Sequence, residues 1–211
     1  MLLLLVLVAC GTKTDADDGS STDACEQYQP APEIGPAVTI SIRHDGTTPV
    51  FFSPHGCGGA ITIDLTDATG ANVPYRLDTE CFPNTCDGFL EANDCSIGCN
   101  NCAPPSAGRI EAGAMTQTQW PGRVLTTLEL TPACAPEGEC PGSCVRPDQA
   151  PAGAYTVELT VWRTCTGTCE CEPPAQEVCS LWNDEQLTDP VTFTAMLDYP
   201  TQTSVELVIT D

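Results

Sequence analysis

Basic side chains are nearly missing from this chain. Against 29 Asp and Glu stand 7 Lys and Arg in 211 residues, for a formal charge of −22, and Lys13 is the sole lysine. A surface this acidic repels phosphate backbones and anionic headgroups, so nucleic acid is excluded as a partner. Histidine is confined to His44 and His55, which leaves two positions for acid–base or metal chemistry that needs an imidazole near neutral pH. Aromatic residues make up 6% of the chain, and the tryptophans are Trp120, Trp162 and Trp182. The aliphatic run Leu2 to Val8 is far too short to cross a bilayer as a helix. There is no G-x-S-x-G, no H-E-x-x-H and no phosphate-binding glycine loop. Carboxylates are so plentiful that paired acids say nothing about glycoside chemistry. A Ser-His-Asp set can assemble from any order in sequence, but nothing here points to one. No catalytic residue is assigned, and neither cofactor nor metal is expected.

Cysteine, by contrast, is abundant, with 15 residues. Cys10 stands apart from the rest. Leu7-Val8-Ala9-Cys10 closes the aliphatic run and resembles the lipid-attachment box of bacterial lipoproteins. The resemblance implies that residues 1–9 are a signal peptide, that cleavage precedes Cys10, and that Cys10 carries a diacylglyceryl group whose two chains suffice for stable anchoring. Gly11 follows where an Asp marks retention at the inner membrane of many Gram-negative lipoproteins, so the expected location is the cell envelope, at the outer membrane. No Lys or Arg precedes the run, an absence compatible with a start codon further upstream. Residues 11–24 hold no aliphatic side chain larger than Ala and no aromatic, too little apolar surface to order themselves. With Cys10 they form a flexible tether with a mean reach of roughly 20 Å. Its Asp15, Asp17 and Asp18, with Glu26 beyond, resemble a calcium loop faintly, but Gly19 falls one position early and no helical pattern flanks it, so a solvated acidic linker is expected.

Removing Cys10 leaves Cys25, Cys57, Cys81, Cys86, Cys95, Cys99, Cys102, Cys134, Cys140, Cys144, Cys165, Cys169, Cys171 and Cys179, an even set that can pair completely into disulfides. Beyond the inner membrane oxidation competes with metal loading, and no spacing repeats the paired C-x2-C units of structural zinc, so disulfides are expected in place of zinc or an iron–sulfur cluster. The set divides equally, with an odd number before Cys102 inclusive and an odd number from Cys134 on. At least one bridge must therefore join the two halves. Cys169 and Cys171 are too close to bridge comfortably to each other.

Residues 25–211 suffice for one domain with a sizeable core or two small ones, and are expected as one. Ile61, Ile63 and Leu65 alternate with Thr62, Asp64 and Thr66, the period of a strand buried on one face. The same alternation runs through Val38 to Arg43, Tyr155 to Trp162 and Ser204 to Thr210. Less regular candidates are Pro49 to Ser53, Val73 to Leu77, Ile110 to Trp120, Val124 to Leu130 and Val191 to Leu197. With turns such as Asp45-Gly46, Thr69-Gly70 and Pro151-Ala-Gly153, and no convincing helical stripe, the expected fold is all-β, an immunoglobulin-like β-sandwich. Residues 81–105, 132–150 and 164–187 are rich in Cys, Pro, Gly and Asn and are expected as long loops stapled by disulfides.

Ser41-Ile-Arg-His-Asp-Gly-Thr-Thr-Pro-Val-Phe, Ile63-Asp-Leu-Thr-Asp-Ala-Thr-Gly, Glu111-Ala-Gly leading to Trp120-Pro-Gly, and Pro151-Ala-Gly-Ala-Tyr-Thr-Val follow one another in this order. That order resembles the immunoglobulin-like sandwich of the intracellular proteinase inhibitor family of bacilli. The resemblance covers about 120 residues and implies the fold. It leaves out the cysteine loops and carries over no inhibitory residue.

His55 lies in Ser53-Pro-His-Gly-Cys-Gly-Gly59, where glycines let a backbone approach a ligand, or where a plain turn is stapled through Cys57. Trp120 and Trp162 sit beside strand patterns and are expected to pack. Trp182 follows Cys179 in a polar stretch, placed either to pack on the adjacent disulfides or to anchor a partner. The expected function is a lipid-anchored envelope module that binds a protein or glycan and does no catalysis. The alternatives are an extracytoplasmic proteinase inhibitor, on the fold resemblance, and a hydrolase or metalloenzyme using His44 or His55.

Overall fold

The computed structural model of the chain describes residues 25–30, 35–55, 60–75, 84–92, 105–136, 140, 142–172, 174, 176–183 and 185–211. The expected signal peptide, Cys10 and the tether lie outside them, as do Cys57, Cys81, Cys95, Cys99 and Cys102. Strands dominate: β1 Val38–His44, β2 Val50–Phe52, β3 Pro54–His55, β4 Ala60–Ile61, β5 Asp64–Asp67, β6 Ala107–Ile110, β7 Met115–Trp120, β8 Arg123–Glu129, β9 Ser143–Gln149, β10 Gly153–Thr166, β11 Val178–Leu181, β12 Gln186–Tyr199 and β13 Ser204–Ile209. Among the described residues a single α-helix, α1 Cys86–Ala92, lies between β5 and β6, and a 3-10 turn at Glu26–Tyr28 precedes β1.

Two main sheets form. One has the order β13-β1-β7; the other runs β11-β6-β2-β10-β12, with β5 also on β10. β1 is parallel to β13, Thr39 facing Ser204, and antiparallel to β7, Val38 facing Trp120. Because side chains alternate along a strand, the period-two residues of both sheets point at each other. Val38, Ile40 and Ile42 from one sheet and Tyr155, Val157, Leu159 and Val161 from the other are all buried in a single cluster. Each such side chain contributes about 1.5–3 kcal/mol of transfer free energy against the entropy of ordering. The result is an all-β fold with two facing sheets.

At one end of this core Trp120 packs against Tyr155 and Tyr199, with ring centroids 5.1 and 4.9 Å away. Every polar tip in the group has a partner. Trp120 Nε1–H donates to Arg123 O at 3.0 Å, Tyr155 Oη to Pro151 O at 2.7 Å and Tyr199 Oη to Gly122 O at 3.2 Å. Gly122 has a φ of 71°, and a Cβ there would sit 2.5 Å from Pro36 O. A glycine in the Trp-Pro-Gly turn is therefore required on two counts.

The expected strand over 60–67 breaks at Thr62 and Ile63, yet Ile61, Ile63 and Leu65 are all buried, so the period survives the break. Asn72 to Tyr75 form no strand beyond a single bridge from Asn72 to Thr66. The stretch from Ile110 to Trp120 is the end of β6, a turn, and β7.

The three expected excursions are not plain loops. α1 lies within 81–105, β9 within 132–150, and β11 with the ends of β10 and β12 within 164–187. β9 pairs through all its residues with β8, from Ser143 facing Glu129 to Gln149 facing Arg123. Its sequence SCVRPDQ has no alternation to betray it, and Pro147 is tolerated because, among the described residues, β8 is the one strand paired with β9 and the other edge has a single bridge, Val145 to Thr85.

All nine cysteines among the described residues are in disulfides. Cys25–Cys134 and Cys86–Cys144 join segments 109 and 58 residues apart, so two bridges cross between the halves. With Tyr28, Phe89 and Leu130 they form a second buried cluster. Tyr28 Oη ties it to the backbone, donating to Glu129 O at 2.8 Å and accepting from Thr131 N at 2.9 Å. Cys165–Cys169 and Cys171–Cys179 close short loops. Cys171 and Cys179 share a third cluster with Phe51, Ala107 and Leu181, onto which Trp162 packs.

Candidate functional site

β11 ends at Leu181, which is buried in the third cluster. The next side chain, Trp182, is 62% exposed, one of three exposed large apolar residues among the described residues, with Met115 and Met196. Trp162 packs on the cluster that holds the nearby disulfide. The Trp182 indole is presented to solvent, and the segment that presents it is braced.

The brace is built from Ser106 and Glu185. Ser106 N donates to Leu181 O at 2.9 Å. Its hydroxyl has one proton and faces three acceptors, Leu181 O, Asn183 O and the Glu185 carboxylate. Glu185 is itself buried, and its Oε1 accepts from Asn183 N at 3.3 Å. The backbone on both sides of Trp182 is thus pinned to β6, which starts one residue after Ser106, while Cys171–Cys179 pins β11 from below.

Beside the indole lies a groove of about 490 Å³. It runs between β7, an edge of the three-stranded sheet, and β11, an edge of the larger one. Thr116, Gln117, Glu172, Gln176, Ser180 and Trp182 are among the residues that line it. Phe52 and Ile61, both buried, form its floor.

The two histidines are placed far apart in character. His55 is exposed and lines a separate groove of about 330 Å³ with Asp64, Asn72 and Tyr75. The Tyr75 hydroxyl is already engaged there, donating to Ile63 O at 2.8 Å and accepting from Ile63 N at 3.3 Å. His44, at the end of β1, is 1% exposed and borders no groove described above. Its Nδ1 is buried without a hydrogen-bond partner, and the turn at Gly46 closes over the ring so tightly that a Cβ there would lie 3.2 Å from Cε1 and Nε2.

Burial lowers the His44 pKa below the ordinary histidine range, and it outweighs the opposing pull of Asp211, Asp45 and Glu111. The unfolded chain therefore binds more protons than the folded one between the folded pKa and about 6.5, and stability falls as pH drops through that window. The urea midpoint is expected to fall between pH 7.5 and pH 5, and His44→Gln should remove most of that slope. An equal slope in the variant contradicts the assignment. Asp67 acts in a different window. Its carboxylate accepts from the Thr69 hydroxyl at 2.6 Å and from Ala71 N at 3.0 Å, contacts that lower its pKa, so its contribution is lost only below the usual carboxylate range.

Among the described residues no three His, Cys, Asp or Glu side chains gather as a metal site. Comparison with known proteins finds no matching family model and no matching solved structure.

Proposed function

We propose that the chain is a binding module of the bacterial cell envelope, anchored at the outer membrane through lipid on Cys10 and engaging its partner through Trp182 and the groove beside it. The observation that carries this reading is the combination of a 62% exposed indole with a backbone pinned by Ser106 and buried Glu185. A large apolar side chain in water on a backbone already fixed fits a partner contact, since the backbone has little conformational freedom left to lose on binding. The acidic surface and the tether fit a module that reaches away from an anionic membrane.

The finer fold reading, an immunoglobulin-like sandwich, is supported by Tyr155. Its hydroxyl bonds to the carbonyl four residues upstream at the start of a core strand, and its ring packs on a buried tryptophan, as in the tyrosine corner of such sandwiches.

The anchor is tested by Cys10→Ser. Labelling by fatty acid should disappear and the protein should leave the detergent phase; unchanged partitioning would refute lipidation. A second reading, a hydrolase using His55, rests on the groove that His55 shares with Asp64. It requires a turnover activity that His55→Ala abolishes in a folded chain.

A further inference from the structure

We infer that the groove between β7 and β11 takes a neutral glycan, with the Trp182 indole as the face on which a sugar ring stacks. The inference rests on the reading of Trp182 as the contact residue and names the class of ligand. Three features of the groove select it.

The first is the platform. The C–H face of a pyranose is apolar while its rim is polar, so it pairs with a flat ring that stands exposed next to hydrogen-bonding groups. Trp182 meets that description, and the backbone that carries it is braced before ligand arrives.

The second is the lining. Gln117, Gln176, Ser180 and Thr116 each offer both a donor and an acceptor, and Glu172 offers acceptors. Sugar hydroxyls are themselves donors and acceptors, so each can be satisfied by such groups. The apolar floor, Phe52 and Ile61, is buried at 2% and 6% exposure, which leaves no open apolar pocket for the anchoring side chain of a peptide.

The third is charge. Among the described residues no Lys or Arg lines the groove, Glu172 adds a negative charge to it, and the chain as a whole carries −22. Phosphorylated, sulfated or uronate-rich polymers would be repelled. The volume, about 490 Å³, lies in the range of small-ligand clefts and has room for about two or three sugar rings.

The test uses the full chain with disulfides intact and Cys10→Ser to keep it in solution. Neutral hexasaccharides of glucan, mannan and chitin type are titrated while tryptophan fluorescence is followed; Trp120 is buried and Trp162 half-buried, so a change in exposure reports chiefly on Trp182. At least one of these should bind, heparin and dextran sulfate should not, and Trp182→Ala should weaken binding by about tenfold or more. Gln117→Ala should weaken it several-fold, Trp182→Phe should retain part of it, and the circular dichroism should stay unchanged in all three. Binding of polyanions, or of none of the neutral glycans, overturns the inference. If no glycan binds but Trp182→Ala still reduces retention on envelopes in a protease-sensitive way, the partner is a protein and the binding-module reading stands without its glycan. If Trp182→Ala leaves retention unchanged, both fall.

Discussion

Removing the Cys86–Cys144 bridge by Cys86→Ala with Cys144→Ala is expected to cost about 2–4 kcal/mol of stability, and clearly more than removing Cys165–Cys169 in the same way. The reason is loop length. The first bridge closes 58 residues and the second 4. The chain-entropy argument assigns about 4 kcal/mol to the longer loop and about 2 kcal/mol to the shorter, before native strain and residual structure reduce either. The packing argument points the same way. Apart from cysteines, the fully enclosed members of the second cluster are Tyr28, Phe89 and Leu130, too few to hold α1 and the β8–β9 hairpin against the sandwich without a covalent tie. Denaturant unfolding of the two double variants without reductant measures the difference; equal losses would show that the long bridge only decorates a region folded by other means.

Trp120→Ala should cost about 3–5 kcal/mol, the range for truncating a large buried aromatic. The substitution empties the space between Tyr155 and Tyr199 and strips the Arg123 carbonyl of its indole donor. Trp182→Ala should change stability by less than about 0.5 kcal/mol, because the side chain is 62% exposed and forms no part of the buried clusters. Urea unfolding at neutral pH separates the two. A large loss at Trp182 would mean that the indole holds the fold, and would remove the argument that its exposure serves a partner.

The core was legible in the sequence because burial on one face of a strand writes itself as alternation. Ile40 and Ile42, Val157 and Leu159, and Leu207 and Ile209 all fall where the period places them. The strand β9 and the strand β11 were not legible, since their pairing is carried by backbone bonds, which leave no period in side-chain polarity. α1, at seven residues, is shorter than the windows that reveal a helical stripe. Trp182 stood out as an aromatic in a polar stretch, but the residues that make it a site did not. Ser106 lies 79 positions from Glu185, and Gln117 and Gln176 line one groove from distant parts of the chain; polar side chains brought together by topology carry no local signal. His44 and His55 were equivalent as letters, and burial separates them.

If Trp182 is the contact residue, neither His44 nor His55 is needed for association. The measurement that decides it is the fraction of full-length Cys10→Ser chain retained on isolated envelopes, compared among the parent, Trp182→Ala, His44→Gln and His55→Ala. Retention is expected to fall by about tenfold or more for Trp182→Ala and to hold for both histidine variants. Undiminished retention without Trp182, or loss on His55→Ala in a chain that keeps its β-sheet signal, would contradict the account.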